Sequence, residues 1–246
     1  MQRRSPMLPI AVILLAASAV LYLIQYLIFR TPRDISFYFA QDLAFVPIEV
    51  LLVVVIIERM LEGREKRALL HKLNMVIGAF FSEVGTRVLG DVTPAVVGKE
   101  EVLEQLALKA DWRRADFRRA IEFARRFSYQ IDLAGLDLNS LRDLLVAKRE
   151  FMLRLLENPN LLEHQRFTDL LWAVFHLAEE LSARESLARL SEHDAAHLAE
   201  DTRRAYSQLA AQWVAYAQHL QASYPFLYSL VVRTHPLQPH PAAAIP

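Results

Sequence analysis

The chain has 246 residues, 54% of them hydrophobic, with 28 Lys plus Arg balancing 28 Asp plus Glu and no cysteine. The hydrophobic share exceeds that of an ordinary soluble domain, and the zero net charge offers no electrostatic footprint for nucleic acid. The lack of cysteine excludes disulfides, thiolate metal sites and a cysteine nucleophile.

Pro9 to Phe29, "PIAVILLAASAVLYLIQYLIF", is 21 residues long without a formal charge. At about 1.5 Å per residue it crosses roughly 30 Å of hydrocarbon, and it outruns the roughly 7–15 apolar residues of a signal peptide. A retained membrane helix is therefore expected over 9–29. Ile35 to Ile57 reads as a second span, interrupted by Gln41, Asp42, Pro47 and Glu49. The link "RTPRD" between them permits only a tight hairpin, so both chain ends lie on one side. Arg3 and Arg4 precede the first span and Arg59, Arg64, Lys66, Arg67 and Lys72 follow the second, against two arginines in the link. The positive-inside bias then predicts a multi-pass protein of the inner (cytoplasmic) membrane with both termini cytoplasmic.

The second span is expected to continue as a juxtamembrane helix over 59–90. Leu61, Leu69, Leu73, Val76, Ile77, Phe80 and Val84 recur at three- and four-residue spacings, an apolar stripe that needs a partner. Gly78 and Gly85, seven apart, offer points where another helix can approach closely, or else mark a bend or cap. "GDVTPAVV" marks a break.

Beyond it, residues 99–232 read as a cytosolic all-α bundle. Expected helices run from Lys99 to Lys109, through "DWRRADFRRAIEFARRF" with Asp111 as N-cap, over Leu141–Leu156, from Leu161 to Ser182, and from near Ser191 to a stop at Pro225. The arginine-rich second of these is a candidate for anionic lipid contact, against a solvated face with Arg118–Glu122 and Glu122–Arg126 support. "FLYSLVV" fits a helical turn or a short strand, and 233–246 reads as a flexible proline-rich tail. The expected fold class is all-α: a two-helix transmembrane hairpin over 1–58, a long juxtamembrane helix and a cytosolic helical bundle.

Two constellations carry the candidate chemistry. Asp42 and Glu49, seven residues apart, project within roughly 20° of each other on a helix, and a lipid-facing carboxylate costs at least a few kcal/mol. Gln25 lies level with Gln41 and Asp42, which suits an interhelical hydrogen bond. Two helices cannot shelter Glu49 from lipid on every side, so self-association follows, and stacked acid rings in an oligomer would suit a cation channel.

The second constellation is "FHLAEELSARESLARLSEHDAAHLAEDTRRAY". His176 and Glu180 stand four apart, as do His193, His197 and Asp201. Antiparallel packing of the two helices would bring imidazoles and carboxylates together as a site for zinc, iron or manganese. Surface ion pairs such as His197–Asp201 and Asp201–Arg204 account for the same pattern without metal. No GxGxxG, P-loop or GxSxG signature is present, which disfavours an enzyme.

The segments "REKRALLHKLNMVIGAFFSEVG" and "WVAYAQHLQASYPFLYSLVVRTHP" resemble those of an uncharacterised family of prokaryotic membrane proteins with an N-terminal two-helix hairpin and a cytosolic helical remainder. The resemblance runs from about Asp34 to Pro236; it implies the architecture and transfers no catalytic or ligand role. Together these readings rank a homo-oligomeric membrane-anchored assembly or scaffold module first, a cation channel lined by Asp42 and Glu49 second, and a membrane-anchored helical-bundle metalloprotein third.

Overall fold

The computed structural model describes residues 7–29, 32–158, 161 and 164–238. Among these the fold is all-α with no β-sheet; a lone antiparallel bridge joins Val96 to Ile131. The chain divides into two compact units, 1–66 and 67–246.

In the first unit, α1 (Met7–Phe29) lies against the N-terminal part of α2 (Pro32–Phe80), with Tyr22 meeting Phe39 edge-on at 6.1 Å. Ser36–Leu61, 26 residues, is long and apolar enough to cross a membrane, and none of it is buried within the protein. Among the described residues this is the one helix of that length and apolarity; the apolar stretch in α1, Ala16–Ile28, is shorter. Pro47 lies inside α2, where it removes one backbone donor.

The second unit begins with the last turns of α2. Leu73, Ile77 and Phe80 of the expected stripe are buried, and Val76 packs against the same core. From Leu73 on, the partner of this stripe is the helical bundle itself; Leu61 is exposed, and the Leu69 side chain lies outside the described residues. A π-helical turn, Phe81–Gly85, then leads into α3 (Thr86–Val92). The wider turn lets the consecutive residues Phe80 and Phe81 both point inward. Phe80 meets Phe167 edge-on at 5.4 Å, while Phe81 meets Trp213 at 5.1 Å and stacks on Tyr216 at 5.7 Å. Gly78 is a point of close approach: a Cβ there would lie 2.5 Å from the Tyr216 hydroxyl.

The remaining helices are α4 (Lys99–Leu106), α5 (Arg114–Arg126), α6 (Leu138–Ala147), α7 (Arg149–Leu156), α8 (Gln165–Ala183), α9 (Glu192–Ser223) and α10 (Pro225–Thr234). Central α9 packs against α5, α8 and α10. Several expected boundaries move for local reasons. α5 starts after Arg113 instead of Asp111, because Asp116 accepts the Arg113 backbone N–H at 2.7 Å and closes the first turn. That bond is the main cause holding the Asp116 carboxyl below its usual range. The expected single helix over Leu141–Leu156 is two: Asp137 caps the first by accepting from Asn139 and Ser140, and Lys148, at φ −100° and ψ 4°, breaks the run. "FLYSLVV" is helical, in α10.

The tail expected from Arg233 is held as far as Gln238. His235 and Leu237 are buried, the His235 ring stacks on Trp213 at 3.8 Å, and the Gln238 side chain donates to the Leu108 carbonyl at 2.8 Å. The rest of the expected tail, 239–246, lies outside the described residues. Burial holds His235 well below the ordinary imidazole pKa, so its neutral form belongs to the fold. Its contribution is fully present above the unfolded value of about 6.5 and is lost as pH falls from there toward the depressed folded value. Trp213 fluorescence should therefore report loosening of this segment below about pH 6.5. His235→Phe, which keeps the stack, should remove that pH dependence.

Candidate metal centre

α8 and α9 are antiparallel neighbours, and their starts are fixed locally. His164 Nδ1 accepts the Phe167 N–H at 3.2 Å, and Ser191 Oγ accepts the Asp194 N–H at 3.1 Å while donating to its carboxylate at 2.6 Å. Phe167, Leu170, Leu171, Val174, Leu177 and Leu181 form the buried face of α8. His176 and Glu180 flank that face one turn apart. On α9, Leu198, Thr202 and Ala205 are buried, and Asp201 lies among them.

The register of the two helices sets His176 opposite Asp201, and Glu180 opposite His197. The His176 Nε2 lies 3.9 Å from Glu180 Oε1 and 3.6 Å from Asp201 Oδ2; the His197 Nε2 lies 3.6 Å from Glu180 Oε2 and 3.3 Å from Asp201 Oδ2. One ligand atom from each of the four converges within 4.8 Å of the others. Metal–ligand bonds of about 2.0–2.2 Å in a tetrahedron imply ligand separations of about 3.3–3.6 Å. The imidazole–carboxylate separations lie near that range, while the widest ligand pair, within 4.8 Å, would have to draw in on an ion.

Asp201 is the informative member. Its side chain is 2% exposed, yet Oδ2 has no hydrogen-bond partner, while Oδ1 lies 3.4 Å from Arg204 Nη1. A buried carboxylate oxygen without a donor is costly unless a positive charge stands beside it. The two imidazole nitrogens aim at that same oxygen. Glu180, 25% exposed, donates no proton at neutral pH: the hydrogen bond from Arg184 is the largest cause holding its carboxyl below the usual range, against burial, with the charges of Arg184, His197 and His176 adding. Arg184 Nη1 reaches Glu180 Oε2 at 2.7 Å and the Glu180 carbonyl at 2.6 Å, which fixes the carboxylate from behind. The imidazoles are 45% and 48% exposed, so the solvent side is open.

Two neutral imidazoles and two carboxylates balance a divalent cation, and this N2O2 set suits zinc, iron or manganese. The geometry is compatible with a divalent-metal site. Of the five residues expected from sequence, His176, Glu180, His197 and Asp201 meet and His193 does not. His193 precedes His197 by one turn and stands level with residues at and past the end of α8, where Arg184 reaches toward Asp194 at 3.6 Å. Glu179 turns away to Arg149 at 3.3 Å. Arg184 was the contributor not anticipated; its position four residues after Glu180 was the available signal.

The intramembrane polar candidates fall in the first unit. Gln25 and Asp42 line one groove between α1 and α2, together with Ser18, Tyr22 and Tyr38. Gln41 and Glu49 are exposed on α2.

Two family descriptions match the chain. Residues 69–233 match "Uncharacterized protein MJ1433, C-terminal helical domain", and residues 2–61 match "MJ1433, N-terminal helical domain". Uncharacterized protein MJ1433 of Methanocaldococcus jannaschii is 45% identical over 230 residues, covering 94% of this chain and 92% of that protein. No solved structure matches.

Proposed function

The chain belongs to the MJ1433 family of uncharacterised helical proteins, and on that premise we propose that it is a membrane-anchored metalloprotein whose helical bundle binds one divalent cation. His176, Glu180, His197 and Asp201 are its ligands. The observation that carries this reading is the unpartnered Oδ2 of buried Asp201, 3.3 and 3.6 Å from two imidazole nitrogens. Arg184 and Arg204 orient the two carboxylates from outside.

Anchoring rests on the exposed apolar stretch Ser36–Leu61, with α1 as the second span of a hairpin whose flanking arginines and lysines favour the cytoplasm for both termini. The domain reading that goes with it is a hairpin over 1–58, a juxtamembrane segment over 59–90 and a metal-binding bundle beyond. The test is elemental analysis of the full chain purified in detergent without chelator. About one zinc, iron or manganese per chain is expected, with cobalt substitution giving the visible absorption of a tetrahedral N2O2 site. Metal below a tenth of the protein concentration, even after incubation with each ion, would exclude the reading.

A second reading, homo-oligomeric assembly through the spans, is favoured by Glu49, an exposed carboxylate and the one charged residue between Asp42 and Glu58 on α2. A second copy would supply the protein shelter that α1 and α2 alone leave missing. Glu49→Leu is expected to weaken self-association in bicelles by about three- to twentyfold, the equivalent of about 0.6–1.7 kcal/mol per interhelical hydrogen bond. Native mass spectrometry across a concentration series reads this directly, and a wild-type chain that stays monomeric throughout would rule it out.

A further inference from the structure

The chain is neutral overall, but its charge is not evenly spread. Two adjoining grooves along α5 and α9 share Ala215 and Gln218 and form one trough. Its walls carry Arg114, Arg118, Arg125 and Arg126 of α5 and Arg166 of α8. Among the described residues lining it, the one carboxylate is Glu122, which Arg126 already holds at 2.9 Å. Four guanidinium groups therefore face the trough without a carboxylate of its lining to pair with.

The surrounding structure adds to this imbalance. Arg166 is the second residue of α8, so the positive end of that 19-residue helix opens beside it. Arg125 is pushed below the ordinary arginine range by partial burial first and by the charge of Arg166 second, which places the two guanidinium groups within electrostatic reach of each other. Fixing like charges along a groove is unfavourable, and an anion seated between them reverses the sign of the interaction. Arg119 and Arg203, by contrast, are satisfied by Asp116 and Glu200 on their own helices.

We propose that this trough is a binding site for a phosphoryl-bearing anion, gripped by Arg118, Arg125 and Arg166, with the Gln218 amide as a neutral donor. The planar fork of guanidinium matches phosphoryl oxygens two at a time, and three such forks along one groove suit a diphosphate or a phosphate diester better than a carboxylate. The same chemistry is offered by a soluble oligophosphate and by an anionic lipid headgroup. The site shares no ligand with the metal centre.

The experiment uses the full chain in nanodiscs of neutral phosphatidylcholine, titrated calorimetrically with inorganic pyrophosphate, and in parallel discs containing phosphatidylglycerol, read by hydrogen exchange over 114–126. Binding of pyrophosphate that weakens at least about tenfold in the Arg125→Gln, Arg166→Gln double variant, and that falls with added salt, supports the site with a soluble ligand. Protection of 114–126 in the phosphatidylglycerol discs alone, lost in the same variant, supports it with a headgroup ligand. Arg119→Gln, outside the trough, should change neither, and an unchanged melting temperature shows that the variants fold. No response to either probe, or responses equal in wild type and double variant, overturns the proposal.

Discussion

Replacing Asp201 with asparagine is expected to strip the bundle of its metal while leaving the metal-free fold at least as stable. The amide removes the buried negative charge whose Oδ2 lacks a donor, yet keeps an oxygen for Arg204, now 3.4 Å from Oδ1. It cannot supply an anionic ligand, so affinity should fall on the order of a hundredfold or more, beyond the loss typical of removing an outer partner. Linkage supplies a second readout. At free metal about a hundred times the dissociation constant, binding stabilises the native state by about 2.7 kcal/mol. Chelator should then lower the wild-type melting temperature by about 5–10 °C and leave Asp201→Asn unmoved. If the variant retains metal, or if chelator shifts both proteins equally, the ion sits elsewhere; if chelator shifts neither, the four residues are an ion-pair network.

Truncating Phe80 to alanine is expected to cost about 3–5 kcal/mol, the usual loss for deleting a fully buried ring. Phe80 is 0% exposed and packs on Phe81 and Phe167, which ties the end of α2 to α8. Denaturant unfolding of the detergent-solubilised chain, followed by circular dichroism, should show the midpoint fall with little change in slope. A loss below about 1 kcal/mol would mean that the last turns of α2 are dispensable to the bundle.

Much of this was legible in the sequence because it rests on periodicity. The stripe through Leu73, Ile77, Phe80 and Val84 is the buried one, and Ser191 does cap the long helix that ends before Pro225. The pairing of His176 and Glu180 with His197 and Asp201 was readable as four-residue spacing on two adjacent helices. What periodicity cannot supply is the axial offset between those helices. That offset admits His197 and leaves His193 one turn beyond the cluster. The break at Lys148 had no proline or glycine to announce it. The docking of His235 and Leu237 was hidden in a segment whose prolines read as tail, because burial there depends on Trp213 and Leu108, remote in sequence.

The π turn at Phe81–Gly85 also marks where the length of this segment can change. A π turn holds one residue more than an α turn, so removing one of its five residues would let the backbone rewind as regular α-helix with its flanks close to their present register. Leu73 and Ile77 would then still share a face with Val88 and Val92, whereas a deletion in the regular helix on either side would turn one pair from the other by about 100°. A single-codon deletion scan across 78–92 should accordingly trace the turn as a local maximum in folded yield.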